Sequence, residues 1–171
     1  MVGIPQAYFE EGIGKAISNG DELVNAAKLL FDKGIYSPSV FLAYQGIEEY
    51  GKAMLLIDDM QKETIEISQY RWNKLYRSHN KKLARVRKAI EEYLYKETEY
   101  TEGKEIPVEE IVRASTEWAF LDKTRNMYVN WDFKKNSWVS PQDVLDLKID
   151  ASGVLIFASN TKMALKIILE K

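Results

Sequence analysis

Residues 37–60 read SPSVFLAYQGIEEYGKAMLLIDDM, and the spacing of their apolar side chains decides the fold. Val40, Ala43, Tyr44, Ile47, Tyr50, Met54 and Ile57 recur at steps of three and four. That is the period of an amphipathic helix, not the alternation of a strand. Ser37 followed by Pro38 is a favourable N-cap and first-turn pair, so the helix is expected to start there and to run to about residue 60.

The same period extends in both directions. Upstream, Tyr8, Ile13, Ile17, Val24, Ala27 and Phe31 share one side of a helix over residues 6–33, with Gly14 and Gly20 as points where it can break and Gly34 as its C-terminal cap. Downstream, Trp72, Leu75, Tyr76, His79, Leu83, Val86, Ile90 and Leu94 predict a third helix from Ile67 to Lys96 with His79 pointing into the bundle. Thr98–Glu105 is polar and reads as a loop. Pro107 then starts a fourth helix with the stripe Val108, Ile111, Ser115, Trp118, Leu121, Arg125 and Tyr128. The segment NWDFKKNSWVS is expected to be a loop, and Ser140-Pro141 repeats the cap-and-start pair. Val144, Leu147, Ala151, Val154, Ala158, Thr161, Leu165 and Ile168 carry a last helix, which Gly153 can bend. No strand run competes, so the expected fold is all-α, an antiparallel bundle of five helices forming one domain over residues 1–171.

Composition narrows the chemistry. The chain has 171 residues, 46% of them hydrophobic and 29% charged, with 24 Lys+Arg against 26 Asp+Glu, which is the balance of an ordinary globular protein. Without cysteine there is no disulfide framework, thiolate nucleophile or Cys-based metal site, and one histidine excludes multi-His metal sites. Neither a metal nor a cofactor is therefore expected. The first twenty residues lack a signal-peptide pattern, and no stretch was expected to approach the ~18 apolar residues of a membrane span, which places the protein in the cytoplasm and off the membrane. Phosphate-loop, HExxH, G-x-S-x-G and calcium-loop motifs are absent.

What remains is a set of polar residues on or beside apolar faces. Residues 71–88 hold eight Lys or Arg and no acid, and Arg71, Lys74, Arg77, Lys81, Arg85 and Lys88 fall at helical spacing. Such a stripe is either a solvated face or a track for a phosphate backbone. Glu48 and Lys52 are four apart and can pair on the helix surface, or Glu48 and Glu49 can hold Arg125 or a protonated His79 across the seam. His79 is either a satisfied structural histidine or a general base in a cleft. Arg125 is an intruder on an apolar stripe; with Tyr128 and Asn130 it can grip a phosphate, or it can pair with Glu48 or Glu49 to set helix register.

The residues also carry a resemblance. Asn25 to Tyr36, then Ser39 to Leu56 with Glu48-Glu49-Tyr50-Gly51-Lys52, resembles the paired helices of HEPN-superfamily proteins, and within them the AbiV-like abortive infection proteins. His79-Asn80-Lys81-Lys82 looks like that group's His-x-x-Lys, and Arg125 to Asn130 followed by a loop and Pro141 extends the similarity over most of the chain. The resemblance implies an all-α bundle, a homodimer, a place in bacterial defence against phage and, in many relatives, a metal-independent ribonuclease. The usual nuclease motif is an Arg, a polar residue and, a few positions on, a His. Arg125-Asn126 fits its start, but Asn130 stands at the shortest spacing where the His is expected, and an amide is no general base.

Two functions follow from this. In the first, Arg125 steadies a scissile phosphate, His79 is the acid or base, Glu48 or Glu49 orients one of these two, and Lys52, Lys82, Asn126, Tyr128, Asn130 and the stripe contact RNA. In the second, Glu48, Lys52, His79 and Arg125 form a buried polar network in a non-catalytic module that binds a phage-encoded or host protein, or in the HEPN subunit of a toxin–antitoxin pair. Trp131, Phe133 and Trp138 would supply an apolar contact for dimerisation.

Overall fold

The computed structural model describes residues 3–100, 130–132, 136–140 and 147–170. Its long helices are α1 (Phe9–Asp32), α2 (Tyr36–Gln61), α4 (His79–Tyr100) and α5 (Leu147–Leu169); a short helix α3 (Gln69–Arg71) lies between α2 and α4. The fold is all-α. Helix α2 is central and packs against α1, α4 and α5, which explains why its apolar residues extend round more than one face. Val40, Tyr44, Ile47, Tyr50, Met54 and Ile57 are buried there with Phe9, Val24 and Ala27 of α1, Val86 and Ile90 of α4, and Ala158 and Leu165 of α5. The predicted fourth helix lies outside the described residues.

Several boundaries differ from the sequence expectation, each for a local reason. Helix α1 runs through Gly14 and Gly20 unbroken and ends where predicted: Gly34 has φ +73°, and the amides of Gly34 and Ile35 donate to Phe31 and Leu30, at 2.9 Å each. This double closure is a Schellman turn, which needs a left-handed residue that glycine takes at no steric cost. It delivers the chain already turned, so α2 begins at Tyr36 and Ser37 is not its cap. Pro38 falls within the first turn, where a missing N–H costs nothing. Ser39 is buried and donates from Oγ to the Ala27 carbonyl (2.7 Å), tying the two helices beside the turn.

The predicted third helix is not continuous. Glu66–Ile67 is a strand, β2, paired antiparallel with β1 (Ile4–Pro5) in the register Ile4↔Ile67 and Pro5↔Glu66. Ser68 caps α3 by accepting from the Arg71 amide, Trp72–Tyr76 winds into a π-turn, and the chain breaks at Arg77–Ser78 before α4. The wider turn adds a residue to the helical repeat, so side chains on either side no longer share a stripe. Helix α4 then extends to Tyr100, into the predicted loop. The expected 130–140 loop is instead a hairpin: β3 (Asn130–Asp132) pairs with β4 (Ser137–Val139), with Trp131 opposite Trp138. Asn136 has φ +51°, a conformation asparagine tolerates at turns, and Trp and Val favour strands.

Helix α5 overturns one expectation: Lys148–Leu169 is long and apolar enough to cross a membrane by length and composition alone. It packs along α2, α4 and α1, and core helices of a bundle meet the same measure.

Two further ties hold α1 to α2. At the first, Gly20 and Gly46 let the helices approach closely: a Cβ on Gly46 would lie 2.6 Å from Val24 Cγ2 and 2.9 Å from the Gly20 carbonyl oxygen. At the second, the Tyr50 hydroxyl donates to Asp21 Oδ1 (2.6 Å), which also faces Lys162 Nζ of α5 (2.8 Å). Burial pushes the Asp21 carboxyl up, but the bonds from Lys162 and Tyr50 outweigh it and hold the group below the usual carboxylate range. Burial and the bond to Asp21 both push the Tyr50 phenol well above its ordinary value.

Gly46→Ala is expected to destabilise the protein by about 1–3 kcal/mol in urea unfolding, because its methyl group has no room. Gly14→Ala, where nothing lies within 4 Å of the new methyl, should stabilise by about 0.5–1 kcal/mol. Because the folded Asp21 pKa is depressed, its contribution is complete above the unfolded pKa of about 3.9 and is lost as pH falls through the folded value. Asp21→Asn should therefore flatten the stability-versus-pH curve below about pH 4, and denaturation midpoints measured from pH 2 to 6 would show it.

Candidate functional site

The site is created by a second close helix approach. A Cβ on Gly51 of α2 would lie 2.6 Å from the Lys82 carbonyl oxygen and 3.0 Å from Val86 Cγ2, so a bare glycine lets α4 press its first turns against α2. One turn before Gly51 on α2, Glu48 faces that first turn and is 1% exposed. Its Oε2 accepts from Lys82 Nζ at 2.9 Å and from His79 Nδ1 at 2.5 Å. His79 and Lys82 are three apart on α4 and so share a face.

The three groups differ sharply in solvent access. The Lys82 side chain is 7% exposed and the His79 side chain 61%. His79 therefore does not belong to the packed stripe: the break at Arg77–Ser78 restarts the helix at His79 and places its ring at the surface. A buried carboxylate accepting from Nδ1 fixes the orientation of a largely exposed ring, which is the arrangement that prepares a histidine for proton transfer. A carboxylate with a buried ammonium on the same oxygen is also what a structural ion pair looks like.

Of the two arrangements open for Glu48, the structure has the seam one. Lys52 instead pairs with Glu49, at 2.6 and 2.7 Å, three residues away on the same helix. Glu48 and Glu49 thus point to different partners. Arg125, Asn126 and Tyr128 lie outside the described residues, and Asn130 is placed in β3 by its backbone.

The basic segment divides into two populations. Arg71 forks onto Asp59, its Nε 3.0 Å from Oδ2 and its Nη2 on Oδ1; Arg85 forks onto Asp58 at 2.7 and 2.9 Å; Lys82 meets Glu48. These three cations turn inward to α2. Lys74, Arg77, Lys81, Arg87 and Lys88 are exposed: Lys74 lies over the Tyr70 ring, Arg77 reaches Asn73 at 3.5 Å, Arg87 meets Glu91 at 2.9 Å, and Lys88 is 3.9 Å from Glu92.

The buried Asp59 also accepts from the Tyr76 hydroxyl (2.6 Å). Burial, then the bond to Asp59, push the Tyr76 phenol far above its ordinary value, and the same carboxylate raises the Arg71 guanidinium. Asp58, Asp59 and Tyr76 were not singled out in the sequence. The signal was there: two acids directly after the apolar Ile57, facing a segment with eight cations and no acid of its own. Among the described residues no group of three or more His, Asp or Glu is arranged to hold a metal ion.

The comparison with known families agrees with the geometry in extent. Residues 9–158 match the family described as AbiV, of HEPN type, a span that takes in Glu48, His79 and Lys82. No curated protein and no solved structure matches the chain.

Removing Glu48 leaves Lys82 buried without its carboxylate, so Glu48→Ala is expected to cost about 3–5 kcal/mol in denaturant unfolding. Lys52→Ala, which breaks only the partly exposed pair with Glu49, should cost about 0.5 kcal/mol or less.

Proposed function

Since the chain belongs to the AbiV family of HEPN-type abortive infection proteins, we propose that it acts on RNA, as a metal-independent endoribonuclease centred on His79. The observation that carries this reading is an exposed imidazole whose Nδ1 is held by a buried carboxylate. Held in that way, His79 Nε2 takes the proton of a ribose 2′-hydroxyl as the 2′-oxygen attacks the adjacent phosphorus. The bond from phosphorus to the 5′-oxygen breaks, and that oxygen leaves with a proton from water. The products are a 2′,3′-cyclic phosphate and a 5′-hydroxyl end. Arg125 would neutralise the phosphate, and Glu48 serves as the positioning residue for His79. Exposed Lys74, Arg77 and Lys81 lie on the same stretch as His79 and supply salt-sensitive affinity for the backbone.

A second reading is favoured by the burial of both Glu48 and Lys82: the cluster is structural, and the protein acts by binding a phage-encoded or host protein, or as the HEPN half of a toxin–antitoxin pair. Homodimerisation through the hairpin aromatics belongs to either reading.

The two readings separate in one assay. Purified wild-type, His79→Ala and Arg125→Ala proteins are incubated with total RNA in excess chelator, and product ends are analysed. The nuclease reading expects cyclic-phosphate ends from the wild type and a loss of at least ~100-fold in cleavage for His79→Ala, the scale of a missing general acid–base group. Because the His79 side chain is largely exposed, its removal should leave the fold intact. Cleavage untouched by either substitution, or none from the wild type, would transfer the function to the binding reading.

A further inference from the structure

A long groove runs between α1 and α5, with Tyr50 of α2 also lining it, and none of its lining residues belongs to the Glu48–His79–Lys82 cluster. Its larger compartment has a volume of about 470 Å³, and its wall is almost wholly apolar, with Ile17 and Val24 from α1 and Ala158, Leu165 and Leu169 from α5. A second compartment of about 360 Å³ continues it past Phe31 and Leu155. Lys28 and Ser159 line both, so the two form one trough. On α1 it extends from Ile17 to Asp32, sixteen residues or ~22 Å of helix. That is the length of four helical turns and is longer than a compact small-molecule site requires.

The lining of the trough carries more cations than acids, although Lys162 is already paired with Asp21. The larger compartment is lined by Lys28, Lys162 and Lys166 and by no carboxylate; Lys162 faces Asp21, and Lys166 is 3.9 Å from Glu170. The smaller compartment adds one acid, Asp32. Along the lip on α5, Ile156 and Met163 are seven residues apart and at least half exposed, so they offer an apolar ridge at heptad spacing. A two-fold contact of this face with a second copy would set lysines against lysines, which disfavours self-association here. A flat bilayer matches the charge but not the concave shape, whereas a helix fills a trough between two helices.

We propose that this groove docks one amphipathic helix of a partner protein. Apolar side chains at i, i+3, i+7 and i+11 of that helix fill the trough, and acidic residues flanking the stripe meet Lys28, Lys162 and Lys166. The recognition is separate from the Glu48–His79–Lys82 cluster, because Lys28, Lys162 and Lys166 stand on α1 and α5.

The probe is a fluorescein-labelled designed helix of about 18 residues with a leucine stripe flanked by glutamates, compared by anisotropy with the same peptide carrying lysines instead. Full-length protein should bind the glutamate peptide with a micromolar Kd and the lysine peptide on the order of tenfold or more weakly. Ser159→Trp fills the junction of the two compartments from an exposed position, and the double substitution Lys28→Glu, Lys166→Glu reverses the rim; each should weaken the glutamate peptide on the order of tenfold or more. The double variant should in addition come to prefer the lysine peptide. Circular dichroism and thermal unfolding confirm that the variants fold, and the charge reversal stands alone if Ser159→Trp does not. Equal affinity for the two peptides, no binding up to ~1 mM, or binding indifferent to both variants would overturn the proposal. So would cosedimentation with phosphatidylserine vesicles that Lys28→Glu, Lys166→Glu abolishes while the glutamate peptide fails to bind.

Discussion

A carboxylate buried at the centre of a helical bundle must be matched by hydrogen-bond donors, and Glu48 sets that demand on this fold. Lys82 and His79 meet it from the first turn of α4, which therefore has to begin where both can reach the same oxygen. Gly51, one turn along α2, removes the side chain that would otherwise hold α4 away. The break at Arg77–Ser78 is consistent with this constraint: a helix running straight through from Ile67 would have carried His79 round with its apolar neighbours.

Helix α2 repeats the same device towards its C-terminal end. Asp58 and Asp59 each receive a forked guanidinium, from Arg85 of α4 and from Arg71 beside the π-turn. Three inward carboxylates on one helix thus hold three cations from a segment that carries no acid. The cations are divided as a result. Those facing carboxylates of α2 are fixed, with Lys82 and Arg85 largely withdrawn from solvent and Arg71 partly exposed, and the others, Lys74, Arg77, Lys81, Arg87 and Lys88, are exposed. Among the described residues Arg85 Nη1 is buried with no hydrogen-bond partner, so even a well-formed fork leaves one donor unmatched.

The opposite side of α2 faces α1 and α5, where the polar tie is Tyr50–Asp21–Lys162. The central helix therefore separates two unlike regions: a polar cluster with an exposed imidazole at the start of α4, and an apolar trough with a cationic rim between α1 and α5.

Helical periodicity alone determined the all-α class, the long helices α1, α2 and α5, and the glycine stop at Gly34; it also marked Glu48 and His79 as polar groups on or beside apolar stripes, while Lys82 became a candidate through the resemblance to AbiV-like proteins. Repeats of three and four residues are local, and each helix carries its own. Whether Glu48 turned to Lys52 or across the seam, and whether the basic stripe stayed whole, depended on the rotation of α4 relative to α2. A π-turn and two residues of break set that rotation, and no apolar pattern announces either. The hairpin at Asn130–Val139 was hidden for a related reason: three-residue strands are too short to show alternation, and pairing makes them. The groove exists only because α1 and α5, separated by more than a hundred residues in the chain, lie side by side; tertiary packing alone decided it.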